Sequence, residues 1–322
     1  MKGFDPKFKD FPDYIIGITK EIWEERGIAT LHDYYAADIL VRSPDSVVVG
    51  NQGVIAATMA TLAEFPDRAL YGEDVIWSGS PEAGMLSSHR IHSTATHSGD
   101  GVYGKATGTR LDYRIIADCH AIAGQINDEW LIRDQGAIVR QLGWEPRDYA
   151  ADLIAREGGP ETAVRPFTPA IDVPGPYTGR GNDNPWGQRL ADILTRIMGA
   201  DMAAIPEAYD RACALEYPGG VSGLSTGDAD EFWMGLRASF PNARFTVEHQ
   251  IGREDPLMPP RAALRWGLHG AHDGWGSFGA PTGADVYVMG ATHAEFGPWG
   301  LRREFTLFDE TAVWKQILLG GS

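Results

Sequence analysis

His89 to Gly108 reads HRIHSTATHSGDGVYGKATG, and Leu264 to Gly283 reads LRWGLHGAHDGWGSFGAPTG. Set one above the other, they need no gap. Arg90 falls on Arg265 and His97 on His272, while Gly99, Gly101, Gly104 and Gly108 fall on Gly274, Gly276, Gly279 and Gly283. Thr107 falls on Thr282. The offset, 265 − 90 = 175 residues, holds on both sides. Upstream, Phe65-Pro66 meets Phe240-Pro241, Glu73 meets Glu248 and Ile76 meets Ile251. Downstream, Glu129 meets Glu304, Asp134 meets Asp309, Ala137 meets Ala312 and Gln141 meets Gln316. One offset sustained over roughly 75 residues marks an internal duplication, so the halves are expected to share one fold.

The expected division is a first domain over 1–147, a Pro/Gly-rich linker over 148–187 and a second, diverged domain over 188–322. Gly158 to Gly187 carries no sustained period and reads as linker. Its Phe167, Ile171 and Tyr177 suggest that it packs along a domain. Within the first half, Ile15, Ile16, Ile18, Ile22 and Trp23 follow helical spacing, and Ile28 to Tyr35 predicts a second short helix. Ile39 to Val41 and Val47 to Val49 predict short strands around the turn Ser43 to Ser46. Gly53 to Glu64 predicts a helix that ends at Phe65-Pro66. Strands follow over 69–77, 85–96, 111–121 and 129–133. Helices first and strands afterwards point to α+β. About three helices on a curved, mostly antiparallel sheet make a cone with a pocket at its mouth.

The charge excludes several partners. With 28 basic and 44 acidic residues the net charge is −16, which argues against nucleic acid and anionic membrane. A small-molecule ligand is compatible with it. Two cysteines, Cys119 and Cys213, rule out a disulfide scaffold or a four-cysteine zinc site. No apolar run is long enough to span a membrane, and Met1 to Asp5 does not open a signal peptide, so a cytoplasmic location is expected. His89, His92 and His97 do not share one strand face, so no metal is expected. The glycines at 99, 101 and 104 lie between strands with no helix following and are no dinucleotide fingerprint.

Gly53, Phe65-Pro66-Asp67, Thr96-His97-x-Gly99, Gly104-x-x-Thr107-Gly108 and Glu129-Trp130…Asp134…Arg140-Gln141-Leu142-Gly143 together resemble the SnoaL-like polyketide cyclase family. That family lies in the nuclear transport factor 2-like, or cystatin-like, superfamily. The resemblance covers residues 12–143 and is weaker in the second half, where Gln316-Ile317-Leu318 replaces Gln-Leu-Gly. It implies an intramolecular aldol closure without metal or cofactor, with a carboxylate as general acid/base at Asp134 and a histidine at His120. The fused halves are then expected to form an intrachain pseudo-dimer, with further pairing into a homodimer left open.

Strand alternation places Trp130, Ile132 and Asp134 on one face, and burial raises a carboxylate's pKa toward the working range of a base. The competing reading makes Asp134 the N-cap of the next helix. His120 shares its face with Asp118, and Arg90 shares one with His92; Arg90, His92, Trp130 and Asp118 are expected to contact substrate. In the second half Glu295 replaces His120 and His293 replaces Asp118, so Asp309, Glu295 and His293 are expected to form a second pocket or a scaffold. The expected activity is cofactor-independent acid/base chemistry on a small carbonyl compound (cyclisation, isomerisation or dehydration). The alternative is a non-catalytic ligand-binding module on the same fold.

Overall fold

The computed structural model describes residues 1–321. The first helix starts where Asp10 accepts a hydrogen bond from the Asp13 N–H at 2.9 Å, with Pro12 in a turn that needs no donor. This helix, α1 (Phe11–Trp23), buries Phe11, Tyr14, Ile15, Ile18 and Ile22. After α2 (Leu31–Tyr34) come the hairpin β1 (Tyr35–Ser43) and β2 (Ser46–Val49), then α3 (Asn51–Glu64). The meander β3 (Ala69–Ser80), β4 (Gly84–Thr96), β5 (Arg110–Ile122) and β6 (Gln125–Arg133) follows, closed by α4 (Gln135–Gln141) and α5 (Pro146–Arg156).

The second unit repeats the order: α6 (Pro185–Met198), α7 (Ala204–Ala208), β7 (Tyr209–Tyr217), β8 (Val221–Gly223), α8 (Thr226–Ser239), β9 (Arg244–Arg253), β10 (Arg261–Ala271), β11 (Asp285–Gly297), β12 (Gly300–Phe308) and α9 (Glu310–Gly320). α3 and α8, and β5 and β11, are displaced by 175 residues at both ends. The sheets run β2-β1-β6-β5-β4-β3 and β8-β7-β12-β11-β10-β9. All pairings are antiparallel except β1 with β6 and β7 with β12. The protein is thus a tandem of two α+β cones. Each sheet has six strands rather than a four-stranded meander alone, because the early hairpin joins the last strand in parallel. Tyr35 accordingly opens β1 instead of ending a helix.

The stretch 148–187 is not free chain. It begins inside α5, which buries Tyr149, Ala150 and Ile154. Further on, Phe167 is buried and donates its N–H to the Pro44 carbonyl, and Arg42 binds Asp172 and the Val173 carbonyl. Ile171 is exposed.

The two sheets pack back to back. Ile116, Ile132, Phe167, Tyr287, Met289, Ala291 and Leu307 form one shared cluster; Ile76, Leu86, Ile251 and Ala263 form another. The polar contacts are reciprocal under the same offset. Arg265 donates to Asp118 at 2.8 Å, and its counterpart Arg90 lies 3.3 Å from His293, the counterpart of Asp118. Asp134 accepts from Gly219 and Gly220 in the β7–β8 turn, while Asp309 lies near Asp45 in the β1–β2 turn. Such i-to-j and j-to-i pairing is the signature of a two-fold contact, here between halves of one chain.

The loop that carries the repeat is a structural clamp. His97 Nδ1 lies 3.1 Å from Thr107 Oγ1, and His272 lies 3.2 Å from Thr282 in the same way. Glu64 accepts from the Val102 and Tyr103 N–H groups, and a Cβ at Gly101 would sit 2.3 Å from its carboxylate. Among the described residues no helix is long and apolar enough to cross a membrane.

Candidate active site

The side chains of β4, β5 and β6 that point toward α1 and α3 form rows two residues apart. The register gives Ser87–Cys119–Glu129, then His89–Ala117–Leu131, then Ile91–Ile115–Arg133, then Ser93–Tyr113. Between these rows and the helices lies a cavity of about 270 Å³. A dry cavity of about 150 Å³ already holds benzene, so this space suits a small molecule. Ile15, Ile18, Ile22, Val41 and Leu70 supply apolar wall. The exposed lining residues Asp45 and Ala57 mark the open side, between the β1–β2 turn and α3.

Polar groups sit at both ends of the rows. At one end Glu129 is buried, Oε2 has no hydrogen-bond partner, and Tyr35 and Cys119 lie beside it. Desolvation pushes the Glu129 carboxyl up to about 7, against the pull of those neighbours. Burial, together with Glu129, holds the Tyr35 phenol well above its ordinary range, so it stays a donor. In the middle, burial brings His89 down to about 4, so its imidazole is neutral. Ser87 Oγ points its proton at the Cys119 carbonyl at 3.4 Å. We therefore assign His89 Nδ1–H as donor to Ser87 Oγ at 3.1 Å, which leaves Nε2 as an acceptor.

At the other end stand Arg68 and Arg133. Arg68 stacks on Trp23 at 4.3 Å and its Nε donates to Ser93 Oγ at 3.4 Å, while its NH1 has no partner. Arg133 lies beside Tyr103 and Tyr113, with the Asp45 carboxylate further off, and its Nε is unpartnered. Burial would raise the Tyr113 phenol, yet Arg68 and Arg133 outweigh it and hold Tyr113 below its ordinary value.

None of the six first-domain residues expected to work on substrate lines this cavity. The six lie on or beside the other face of the sheet. Trp130, Ile132, Asp118, His120, Arg90 and His92 occupy the opposite face; most of it is buried against the second unit or the connecting chain, while His92 and Asp134 line a separate open pocket of about 250 Å³ with Glu216 and Phe305. Asp118 pairs with Arg265, and Arg265 stacks on Trp130 at 3.6 Å. Arg90 donates to Glu73 at 2.8 Å and lies over Phe305. His92 lies 3.6 Å from Asp112. His120 Nδ1 meets Asn127 Oδ1 at 2.6 Å under the Tyr177 ring. Asp134 is the N-cap: it accepts from the N–H groups of Ala137, Gly219 and Gly220 at 3.0, 2.8 and 3.0 Å. Burial pushes its carboxyl up to about 6, with those amides opposing. The raised value alone pointed to a base; the saturated geometry makes Asp134 a cap and a tie between units.

The expected second pocket does not assemble either. His293 is buried in the inter-unit contact, 2.8 Å from Ser88 Oγ, and Glu295 lies 3.9 Å from Arg303. Asp309 caps α9 through Thr311 and Ala312 and lines the rim of the first cavity instead. The inside of the second cone is filled. Trp233 stands where Thr58 does, Trp266 where Ile91 does, Phe308 where Arg133 does, and all three are buried. Glu304, the counterpart of Glu129, accepts from Tyr209, Tyr217 and Thr306 hydroxyls at 2.6, 3.3 and 2.7 Å. Position by position, only the first cone keeps small or polar residues at 58, 89 and 133, where the second carries Trp233, Leu264 and Phe308.

The architecture is two α+β cones in tandem. Residues 14–142 match the SnoaL-like polyketide cyclase family, so the first unit is a SnoaL-like domain. Solved structures resemble one unit of the pair. IdmH from Streptomyces antibioticus is 21% identical, covers 41% of this chain and 98% of its own, with a TM-score of 0.36. TsrD from Streptomyces laurentii is 18% identical, with 42% and 98% covered and a TM-score of 0.35. A SnoaL-like polyketide cyclase from Agrobacterium tumefaciens is 16% identical, with 41% and 96% covered and a TM-score of 0.34. No curated protein matches the chain.

Proposed function

We propose that the first cone performs acid/base chemistry, without a cofactor, on a small carbonyl compound, and that the second unit is its scaffold. The observation that carries this reading is the contrast between two equivalent carboxylates. Glu304 is saturated by hydroxyls beneath tryptophans, whereas Glu129 faces a cavity with one oxygen unpartnered. Glu129 as carboxylate takes a proton from the carbon beside the substrate carbonyl. The electron pair moves onto the carbonyl oxygen, where the Tyr35 hydroxyl donates to the growing negative charge. The enolate then takes the proton back at another carbon, attacks a second carbonyl of the same molecule, or expels a β-hydroxyl as water with the proton Glu129 holds.

A non-catalytic binding module is the second reading, and Glu304 favours it, since a carboxylate recurs at this position in a cone that holds no such cavity. A thermal-shift screen of the full chain against small carbonyl compounds, with mass spectrometry of every hit, separates the two. The expected result is at least one stabilising compound that is converted to an isomer, cyclised product or dehydrated product. Stabilisation by several compounds with conversion of none would move the assignment to the binding module.

A further inference from the structure

We infer that the cavity takes an elongated ligand with an anionic group at one end, received by Arg68 and Arg133, and its reacting carbonyl at the other, beside Glu129. The inference rests on the first cone being a ligand site, as proposed above, but not on turnover.

A buried guanidinium, Arg68, and a half-buried one, Arg133, face one cavity, and such charges are costly unless something compensates them; the Asp45 carboxylate at the open side offsets Arg133 only at a distance. Among the described residues neither is ion-paired to a carboxylate, and each keeps a buried N–H without a partner, on Arg68 NH1 and Arg133 Nε. They lie near enough to repel one another. This occurs inside a chain of net charge −16, whose surface offers acids in excess. The fold does not need the cluster, because the second unit dispenses with all of it. Arg68, Ser93, Tyr103, Tyr113 and Arg133 become Ala243, Leu268, Phe278, Val288 and Phe308. A destabilising polar cluster retained only in the cone with a cavity points to a ligand that completes it. A carboxylate or phosphate supplies the missing acceptors, and guanidinium N–H groups suit both. Glu129 and Arg133 are four residues apart on β6, so their Cα atoms are about 13 Å apart. Side chains reaching inward from both ends leave room for a chain or ring between acid and carbonyl.

The test is isothermal titration calorimetry at constant ionic strength with 6-oxo-6-phenylhexanoate and its methyl ester, and with benzoate and benzamide. Wild type should bind the acids about tenfold or more tighter than the neutral partners, the margin typical of a charge-assisted hydrogen bond. Arg68→Ala/Arg133→Phe copies the second unit and should abolish that preference while melting at a higher temperature than wild type in the absence of anions. Should that double variant fail to fold, Arg133→Gln serves, with the acid preference reduced several-fold. Equal affinity for acid and neutral partner, no binding of either acid, or a preference that survives the substitutions would overturn the inference. Acid preference without turnover of any carbonyl compound would keep the anion site and remove the acid/base reading. Turnover of neutral compounds with no acid preference would do the reverse.

Discussion

Glu129→Gln is expected to reduce turnover by about 10²- to 10⁴-fold while substrate still binds, because the amide keeps the shape and cannot take the proton. Single-turnover kinetics beside calorimetric affinity would show the split. The pH dependence follows from the same group. Its carboxyl is pushed up to about 7 by burial, so the basic form, and with it the rate, should rise with pH through that region. The stability effect has the opposite sense. Between the ordinary glutamate value of 4.5 and about 7, the folded chain holds a proton that the unfolded chain has released. Raising the pH through that window therefore costs stability, by up to roughly 3 kcal/mol for this group. His89, depressed to about 4, works the other way between 4 and its ordinary 6.5, since there the unfolded chain binds the extra proton. The difference between wild type and Glu129→Gln, followed by denaturant unfolding across pH 4.5 to 8, isolates the glutamate. A Glu129→Gln variant with full activity would contradict its role.

Arg265→Ala is expected to destabilise the chain by about 3–5 kcal/mol, since it leaves Asp118 charged and unpaired between two sheets. Arg265 also covers the Trp130 ring, so packing is lost with the charge. Replacing both partners, Arg265→Met with Asp118→Leu, should recover part of the loss, because it removes the buried charge pair, while Glu248, 3.5 Å from Arg265 Nε, loses this partner but stays partly solvated. Urea unfolding of the three proteins measures it. A single variant within about 0.5 kcal/mol of wild type would show that the inter-unit contact does not depend on this pair.

The duplication was legible because loop glycines and the His97 clamp tolerate little change: the offset of 175 fixes element boundaries to within a residue or two, except that α9 runs four residues beyond the position matching the end of α4. The face of the sheet was not legible. On β6 both alternating sets are largely apolar or buried, Trp130 and Ile132 toward the second unit, Glu129, Leu131 and Arg133 toward the cone. Alternation gives parity and not which parity faces inward, and a slip of one residue exchanges the whole set. Read from alternation alone, the site therefore fell on the Asp134 and His120 side of the sheet, whereas the proposed function rests on Glu129 and His89. Arg68 was missed for another reason: it follows the helix end at Phe65-Pro66, outside any strand pattern, and only its place over Trp23 brings it into the cone.

The claim that the first cone is the working site is tested most directly by closing it with the second unit's own residue. Thr58→Trp places at α3 the side chain that Trp233 places at α8. Turnover and calorimetric binding of every compound found with wild type should be lost in this variant, while its circular dichroism and melting stay those of a folded tandem. Binding and turnover that persist in folded Thr58→Trp would place the site elsewhere and contradict the account.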